Sequence, residues 1–81
     1  MNREEIFNKV KEIIVDVTEI DSGEIKEESS MMDDLSLSSM EVMTVIAEVE
    51  ETFSLKIPEK DLRNFVTVSD LVDYVSKRKS E

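Results

Sequence analysis

The chain has 81 residues, 40% of them hydrophobic, and a formal net charge of −10 at pH 7. A chain of this length can bury one small core, so we expect a single domain over residues 1–81. Because Cys and His are absent, disulfides, Cys/His zinc sites, thiol nucleophiles and Ser-His-Asp triads are excluded. We therefore expect no catalytic residue and no enzymatic activity.

The first predicted element is an amphipathic helix from about Asn2 or Arg3 to Val17. Asn2 and Glu5 have the spacing of a capping box, in which each side chain bonds the backbone N–H of the other residue. Apolar residues at helical spacing define the face that we expect to be buried: Ile6, Phe7, Val10, Ile13, Ile14 and Val17.

A long polar loop follows the first helix. We expect Ile20, Ile25 and Leu35 to attach this loop to the core. Asp33 and Asp34 are adjacent carboxylates, but the glycine and terminal Glu of a calcium-binding EF-hand loop do not fall in place. The sequence therefore predicts a solvated loop and no metal site.

The second predicted helix, from Ser39 to about Phe53, has the strongest pattern in the chain. Ser38 and Glu41 fit a capping box at its start. Ser39 lies in the first turn, where free N–H groups and the helix dipole favour a phosphate group; an ordinary first-turn serine is the alternative. The predicted core face consists of Val42, Val45, Ile46, Val49 and Phe53.

Met40, Met43 and Ala47 fall outside that core face and form a second apolar stripe on this helix. Four acidic residues flank it: Glu41, Glu48, Glu50 and Glu51. Exposed apolar residues rimmed by acids are typical of docking surfaces, and Met adapts to several partners. A wide core face with a solvated charged rim is the alternative.

Acidic residues are concentrated around Ser39. Between Lys26 and Lys56 the chain has no basic residue and eight acidic ones. Such a field repels nucleic acid and anionic membrane and attracts basic partner surfaces; solubility alone is the alternative. The eight residues are Glu27, Glu28, Asp33, Asp34, Glu41, Glu48, Glu50 and Glu51.

Two shorter helices complete the predicted fold. Pro58 is suited to the first position of a third helix, with Leu62 and Phe65 facing inward. Thr67 and Asp70 predict a capping box for a fourth helix. Its predicted core residues are Val68, Leu71, Val72 and Val75. The sequence thus predicts an all-α, four-helix bundle with a long loop between the first and second helices.

These landmarks together resemble the acyl carrier protein family over nearly the whole chain. Asp34-Leu35 matches the approach to the family's second helix, Ser39 matches the serine that carries 4′-phosphopantetheine, and Met40 takes the place of a leucine. Later landmarks match at Glu50-Glu51-Thr52-Phe53, Ile57-Pro58 and Val66-Thr67-Val68.

Two positions depart from the family pattern. Ser38 replaces the Asp that usually precedes the modified serine, and Ser36 replaces the Gly that usually follows the loop's Leu. The first departure makes Ser38 a competing site for attachment of the family's 4′-phosphopantetheine arm. Ser39 keeps the family register, directly before Met40 and fourteen residues before Phe53, so we expect it to carry the arm.

The resemblance implies a carrier that holds acyl groups as thioesters on 4′-phosphopantetheine at Ser39, for fatty acid or related lipid or polyketide synthesis. We expect a cytoplasmic monomer without stable membrane insertion, since no long apolar run is present. The implied partners are a phosphopantetheinyl transferase and acyl ligases or synthases with basic docking surfaces. An aminoacyl carrier, for example for D-alanine, or a peptidyl carrier is the alternative within the class. An unmodified acidic interaction module is the alternative from another class.

Overall fold

The computed structural model describes residues 2–79, which form three α-helices: α1 (Arg3–Thr18), α2 (Ser39–Phe53) and α3 (Val68–Lys79). Two 3₁₀-helices lie in the connections, at Ser22–Glu24 and Glu59–Asn64. The predicted all-α bundle with a long loop between its first two α-helices is confirmed. Residues 1, 80 and 81, where the expected domain begins and ends, lie outside the described part of the chain.

The hydrophobic core forms around α1, which packs against both α2 and α3. Phe7, Val17 and Val42, which were predicted on core faces, are only half-buried and pack at the edge of the core. Burial of each large aliphatic side chain contributes roughly 1.5–3 kcal/mol. The buried helical residues are Ile6, Val10, Ile13 and Ile14 in α1, Val45, Ile46, Val49 and Phe53 in α2, and Val68, Leu71, Val72 and Val75 in α3.

Reciprocal caps determine where α1 and α3 begin. The Asn2 side chain accepts a bond from the Glu5 amide at 2.9 Å, and the Glu5 carboxylate accepts one from the Asn2 amide at 3.1 Å. Thr67 Oγ1 accepts from the Asp70 amide at 3.2 Å, and the Asp70 carboxylate accepts from the Thr67 amide at 3.0 Å. Both predicted capping boxes are confirmed.

The third helix differs from the prediction. It is a six-residue 3₁₀-helix, and Pro58 precedes it as an N-cap with ψ 145° instead of occupying its first position. The Glu50 carboxylate accepts a bond from the Ile57 amide at 2.8 Å and so holds the approach to Pro58. A segment this short closes i to i+3 hydrogen bonds. Leu62 is half-buried and Phe65, just after the helix, is buried.

Tyr74 attaches this 3₁₀-helix to α3. Its ring meets the Phe65 ring edge-on, with centroids 5.3 Å apart. Its hydroxyl donates to Asp61 Oδ2 at 3.2 Å and accepts from the Arg78 guanidinium at 2.7 Å. Burial raises the pKa of Tyr74, and Asp61 raises it further, while Arg78 lowers it.

We expect the fold to lose stability at alkaline pH as Tyr74 ionises. Folding raises the pKa of Tyr74, so the neutral phenol stabilises the folded chain. This stabilisation is complete below the unfolded-state pKa of about 10 and is lost as the pH rises through the folded-state pKa. Tyr74 is the single tyrosine of the chain. Tyrosinate absorbance should therefore show a midpoint above 10 in buffer and near 10 in concentrated urea.

Two neighbouring substitutions should move this midpoint in opposite directions. Asp61→Asn removes a carboxylate that disfavours tyrosinate and should lower the pKa of Tyr74, whereas Arg78→Gln removes a cation and should raise it. Shifts of the same sign in both variants would show that these contacts do not form in solution.

No helix within residues 2–79 combines the length and the apolar character that a bilayer-spanning segment needs.

Candidate functional site

The loop before α2 closes on itself just ahead of the predicted site. The Ser30 carbonyl accepts bonds from the Asp34 and Leu35 amides at 2.9 and 3.0 Å. The Asp34 carboxylate accepts a bond from the Ser30 amide at 2.7 Å. The Leu37 amide then donates to the Met31 carbonyl at 3.0 Å. The Asp34 carboxylate therefore closes a turn by accepting a hydrogen bond from a backbone amide.

Hydrophobic side chains fasten the same loop to the core. Ile25 and Leu35 are buried as predicted, and Ile20 packs against the core from its edge. Met31 and Leu37, which sequence reasoning missed, are only 1% and 4% exposed. Leu37 lies directly before the cap of α2, so its burial fixes the direction in which the helix starts.

Ser38 caps α2 as predicted. Its hydroxyl oxygen accepts a bond from the Glu41 amide at 3.1 Å, and the Glu41 carboxylate accepts one from the Ser38 amide at 2.9 Å. The Ser38 carbonyl also accepts a bond from the Val42 amide at 3.0 Å. The Ser38 and Glu41 side chains are therefore both committed to the start of the helix.

Ser39 is the first residue of α2 and is exposed. Within residues 2–79 its hydroxyl has no hydrogen-bond partner, and the amides of Ser39 and Met40 donate to none. Two unbonded N–H groups and the positive end of the helix dipole thus lie beside a free hydroxyl. This arrangement fits a phosphate ester on that oxygen.

The apolar stripe of Met40, Met43 and Ala47, the α2 ridge, lies outside the buried face of the helix. Met40 is 81% and Met43 is 53% exposed, and Ala47 is exposed as well. With Ser39 and Thr44 they line a shallow depression of about 380 Å³ that begins at the Ser39 side chain. Ser39 therefore lines a depression with a largely apolar wall.

A second depression continues this surface, and the sequence did not predict it. It measures about 310 Å³ and lies between α2 and the 3₁₀-helix, where Met43 and Ala47 meet Ile57 and Leu62. Ile57 and Leu62 are 18 and 23 residues from Ser39. The signal that could have identified them is the apolar Ile57, four residues after the end of α2.

The acids of α2 have different roles. Glu41 bonds the Ser38 amide and Glu50 bonds the Ile57 amide, so both stabilise backbone. Glu48 is exposed, and its carboxylate has no hydrogen-bond partner within the described residues. Glu51, one turn beyond Ala47, is likewise exposed, and its carboxylate has no hydrogen-bond partner within residues 2–79, so Glu48 and Glu51 are both free to meet a cation on a partner.

Among residues 2–79 no group of three or more Asp or Glu side chains is arranged to hold a metal ion.

Comparisons with known proteins show which family the sequence resembles. Residues 8–75 match the family model described as "Phosphopantetheine attachment site". The chain is 36% identical to an acyl carrier protein of Thermotoga maritima over 77 residues, 95% of each chain. It is 39% identical to one of Rubrobacter xylanophilus over 75 residues, 93% of each chain. A meromycolate extension acyl carrier protein of Mycobacterium leprae is 37% identical over all 81 residues and 70% of its own length.

A helical bundle with a phosphopantetheine attachment site is a carrier protein and not a catalytic enzyme. The chain belongs to the acyl carrier protein family. Its prosthetic group is covalent 4′-phosphopantetheine, its cargo is an acyl group, and proteins of this family work with transferase and synthase enzymes.

Ser36, three residues before Ser39, adopts the left-handed backbone conformation with φ 57°. Glycine occupies this region without steric cost, whereas a residue with a Cβ is strained there by about 1 kcal/mol or more. We expect Ser36→Gly to stabilise the fold, because it removes this strain. The gain should be at most about 1 kcal/mol, since glycine also gives the unfolded chain more conformational freedom. Urea melts measure the change.

Ser22→Gly is the matched control for this prediction. Ser22 is also exposed and outside the α-helices, but its φ is not positive. Glycine there should lower stability slightly because only the entropic cost remains. Equal effects of the two substitutions would show that Ser36 is not strained.

Proposed function

We propose that Ser39 carries the 4′-phosphopantetheine arm and that this chain delivers acyl groups from it to successive enzymes. The observation that carries the proposal is the free Ser39 hydroxyl at the first position of α2, beside the unbonded amides of Ser39 and Met40. When attached, the group supplies the thiol that holds the acyl chain as a thioester. This chain contains no Cys of its own.

Ser39 is favoured over Ser38 by the hydrogen bonds at the start of the helix. The Ser38 oxygen already accepts the Glu41 amide. Modification of that oxygen would weaken the cap, at a cost of about 1 kcal/mol. Ser39 has no such contact to lose, and its own amide and that of Met40 are available to bond phosphate oxygens.

The α2 ridge supports the delivery step. Met40, Met43 and Ala47 form an apolar strip beside Ser39, and Glu48 provides an exposed carboxylate on its flank. An enzyme that reaches the arm has to cover this strip. We infer that partners bring apolar side chains for the ridge and basic side chains for Glu48, while Glu41 acts mainly by holding the helix start.

We further propose that residues 1–81 act as one monomeric domain in the cytoplasm, in fatty acid or related lipid or polyketide synthesis. The names of the similar proteins support the acyl reading. The match to a phosphopantetheine attachment site favours a carrier over an unmodified interaction module. No contact in the structure favours an aminoacyl or peptidyl cargo over an acyl one.

Ser39→Ala should abolish modification. The experiment incubates the chain with a phosphopantetheinyl transferase and coenzyme A, and intact mass reports the gain of one phosphopantetheine group. Ser38→Asn is the matched control, because asparagine retains the cap and removes the hydroxyl. This variant should gain the same mass as the unaltered chain.

The reverse result would move the attachment point by one residue. Modification that survives Ser39→Ala and disappears in Ser38→Asn would assign the arm to Ser38. No gain in any variant, including the unaltered chain, would contradict a carrier loaded by this transferase.

Met43→Ala should speed dissociation from the same transferase and leave the melting temperature nearly unchanged. Truncation removes apolar contact at the ridge, with a loss of about 1 kcal/mol or more in binding, and Met43 is already 53% exposed in the free chain. Met32→Ala is the matched control, since Met32 is 55% exposed but lies outside α2. Kinetics on immobilised transferase measure both variants.

Glu48→Lys should instead slow association and reduce its dependence on salt, because it reverses a charge at the rim. Glu12→Lys makes the same charge change on the exposed side of α1 and serves as control. Equal effects of the two reversals would attribute the binding to net charge and exclude a localised acidic rim.

A further inference from the structure

Arg3 joins three segments of the chain. Its guanidinium donates to the Glu27 carboxylate in the loop at 2.5 Å and to Ser69 Oγ in α3 at 3.0 Å. It also donates to the Asp73 carboxylate in α3. One side chain at the start of α1 therefore connects the loop to α3.

The position of Arg3 in its own helix does not explain why a cation stands there. Arg3 is the first residue of α1, where the helix dipole favours anions such as Glu4 and Glu5. A cation here is locally unfavourable unless it has acceptors elsewhere. Hydrogen bonds with Asp73 and Glu27 raise the pKa of Arg3 above its ordinary value, which agrees with that pairing.

Backbone hydrogen bonds attach the same loop to the start of α3. The Ser69 amide donates to the Glu27 carbonyl at 2.8 Å, and the Val68 amide donates to the Ser29 carbonyl at 3.0 Å. The Met31 amide donates to the Val66 carbonyl at 2.9 Å, and Ser30 and Thr67 form an isolated antiparallel bridge. The loop thus runs antiparallel to residues 66–69, at the start of α3, before it turns toward α2.

The path continues to the candidate attachment site. The Met31 carbonyl accepts the Leu37 amide, and Leu37 directly precedes Ser38, the cap of α2. Buried Met31, Leu35 and Leu37 hold this stretch against the core. The place where α2 begins therefore depends on where the loop lies on α3.

We propose that Arg3 is a positioning residue for Ser39: by clamping Glu27 to α3 it holds the loop in the register that presents Ser39 to the transferase. The proposal rests on attachment at Ser39. Without Arg3, the carboxylates of Glu27 and Asp73 lose their shared cation in a chain of net charge −10. An exposed ion pair alone contributes little, but one guanidinium with three acceptors constrains geometry.

Arg3→Gln tests the proposal, with Lys9→Gln as matched control. Lys9 is an exposed cation of the same helix, and its loss changes the net charge equally. In Arg3→Gln, hydrogen exchange at the Met31, Leu37 and Ser69 amides should become about fivefold to tenfold faster. Exchange in the middle of α2 should stay unchanged.

The same variant should raise the KM of phosphopantetheinyl transfer by a similar factor and leave kcat unchanged. The transferase then binds only the fraction of molecules with an ordered loop, which reduces apparent affinity without altering the reacting group. Arg3→Lys should recover part of the effect, since it restores the charge but not the planar fork.

Each outcome decides the question. Faster exchange of the loop amides with an unchanged KM would show that Arg3 only stabilises the loop, and would overturn its positioning role. Unchanged exchange of the loop amides would overturn that role as well. Arg3→Gln could also speed exchange within α2. In that case Arg3→Lys decides: if the Arg3→Lys protein is folded and its KM recovers, the proposal is supported, and if its KM does not recover, the proposal is overturned. Failure of the attachment proposal would appear separately, as modification that survives Ser39→Ala.

Discussion

Burial of one face of α1 against both α2 and α3 is the interaction on which the rest of the structure depends. Ile6, Val10 and Ile14 are fully buried, and they supply the surface on which the other helices rest. A chain of 81 residues can form only a small hydrophobic core. The loop and the start of α2 are therefore held by a few buried side chains and by hydrogen bonds to α3.

Features with a local cause could be predicted from the sequence. Helical periodicity indicated every buried residue of the three α-helices within residues 2–79, and reciprocal caps such as Ser38 with Glu41 marked their starts within a residue. The α2 ridge followed from the same periodicity, because Met40 and Met43 do not share an arc with Val45 and the other buried residues. A pattern of this kind depends only on residues one or two turns apart.

Features that depend on distant parts of the chain could not be predicted. Arg3 meets Asp73 across 70 positions, and no local pattern pairs them. Met31 and Leu37 lie in a loop without periodicity, so their burial follows from the path that the loop takes along α3. The backbone conformation of Ser36 is likewise imposed by the turn around it, since serine alone does not favour positive φ.

The position of Ser39 at the first residue of α2 has a thermodynamic consequence for loading. The amide of a first helical residue takes no part in the i to i−4 ladder, and the Ser39 side chain has no hydrogen-bond partner within residues 2–79. On the proposal that Ser39 carries the arm, attachment breaks none of the hydrogen bonds at the start of α2. The phosphate would gain bonds from the Ser39 and Met40 amides only in the folded state, so the loaded carrier should be at least as stable to unfolding as the empty one.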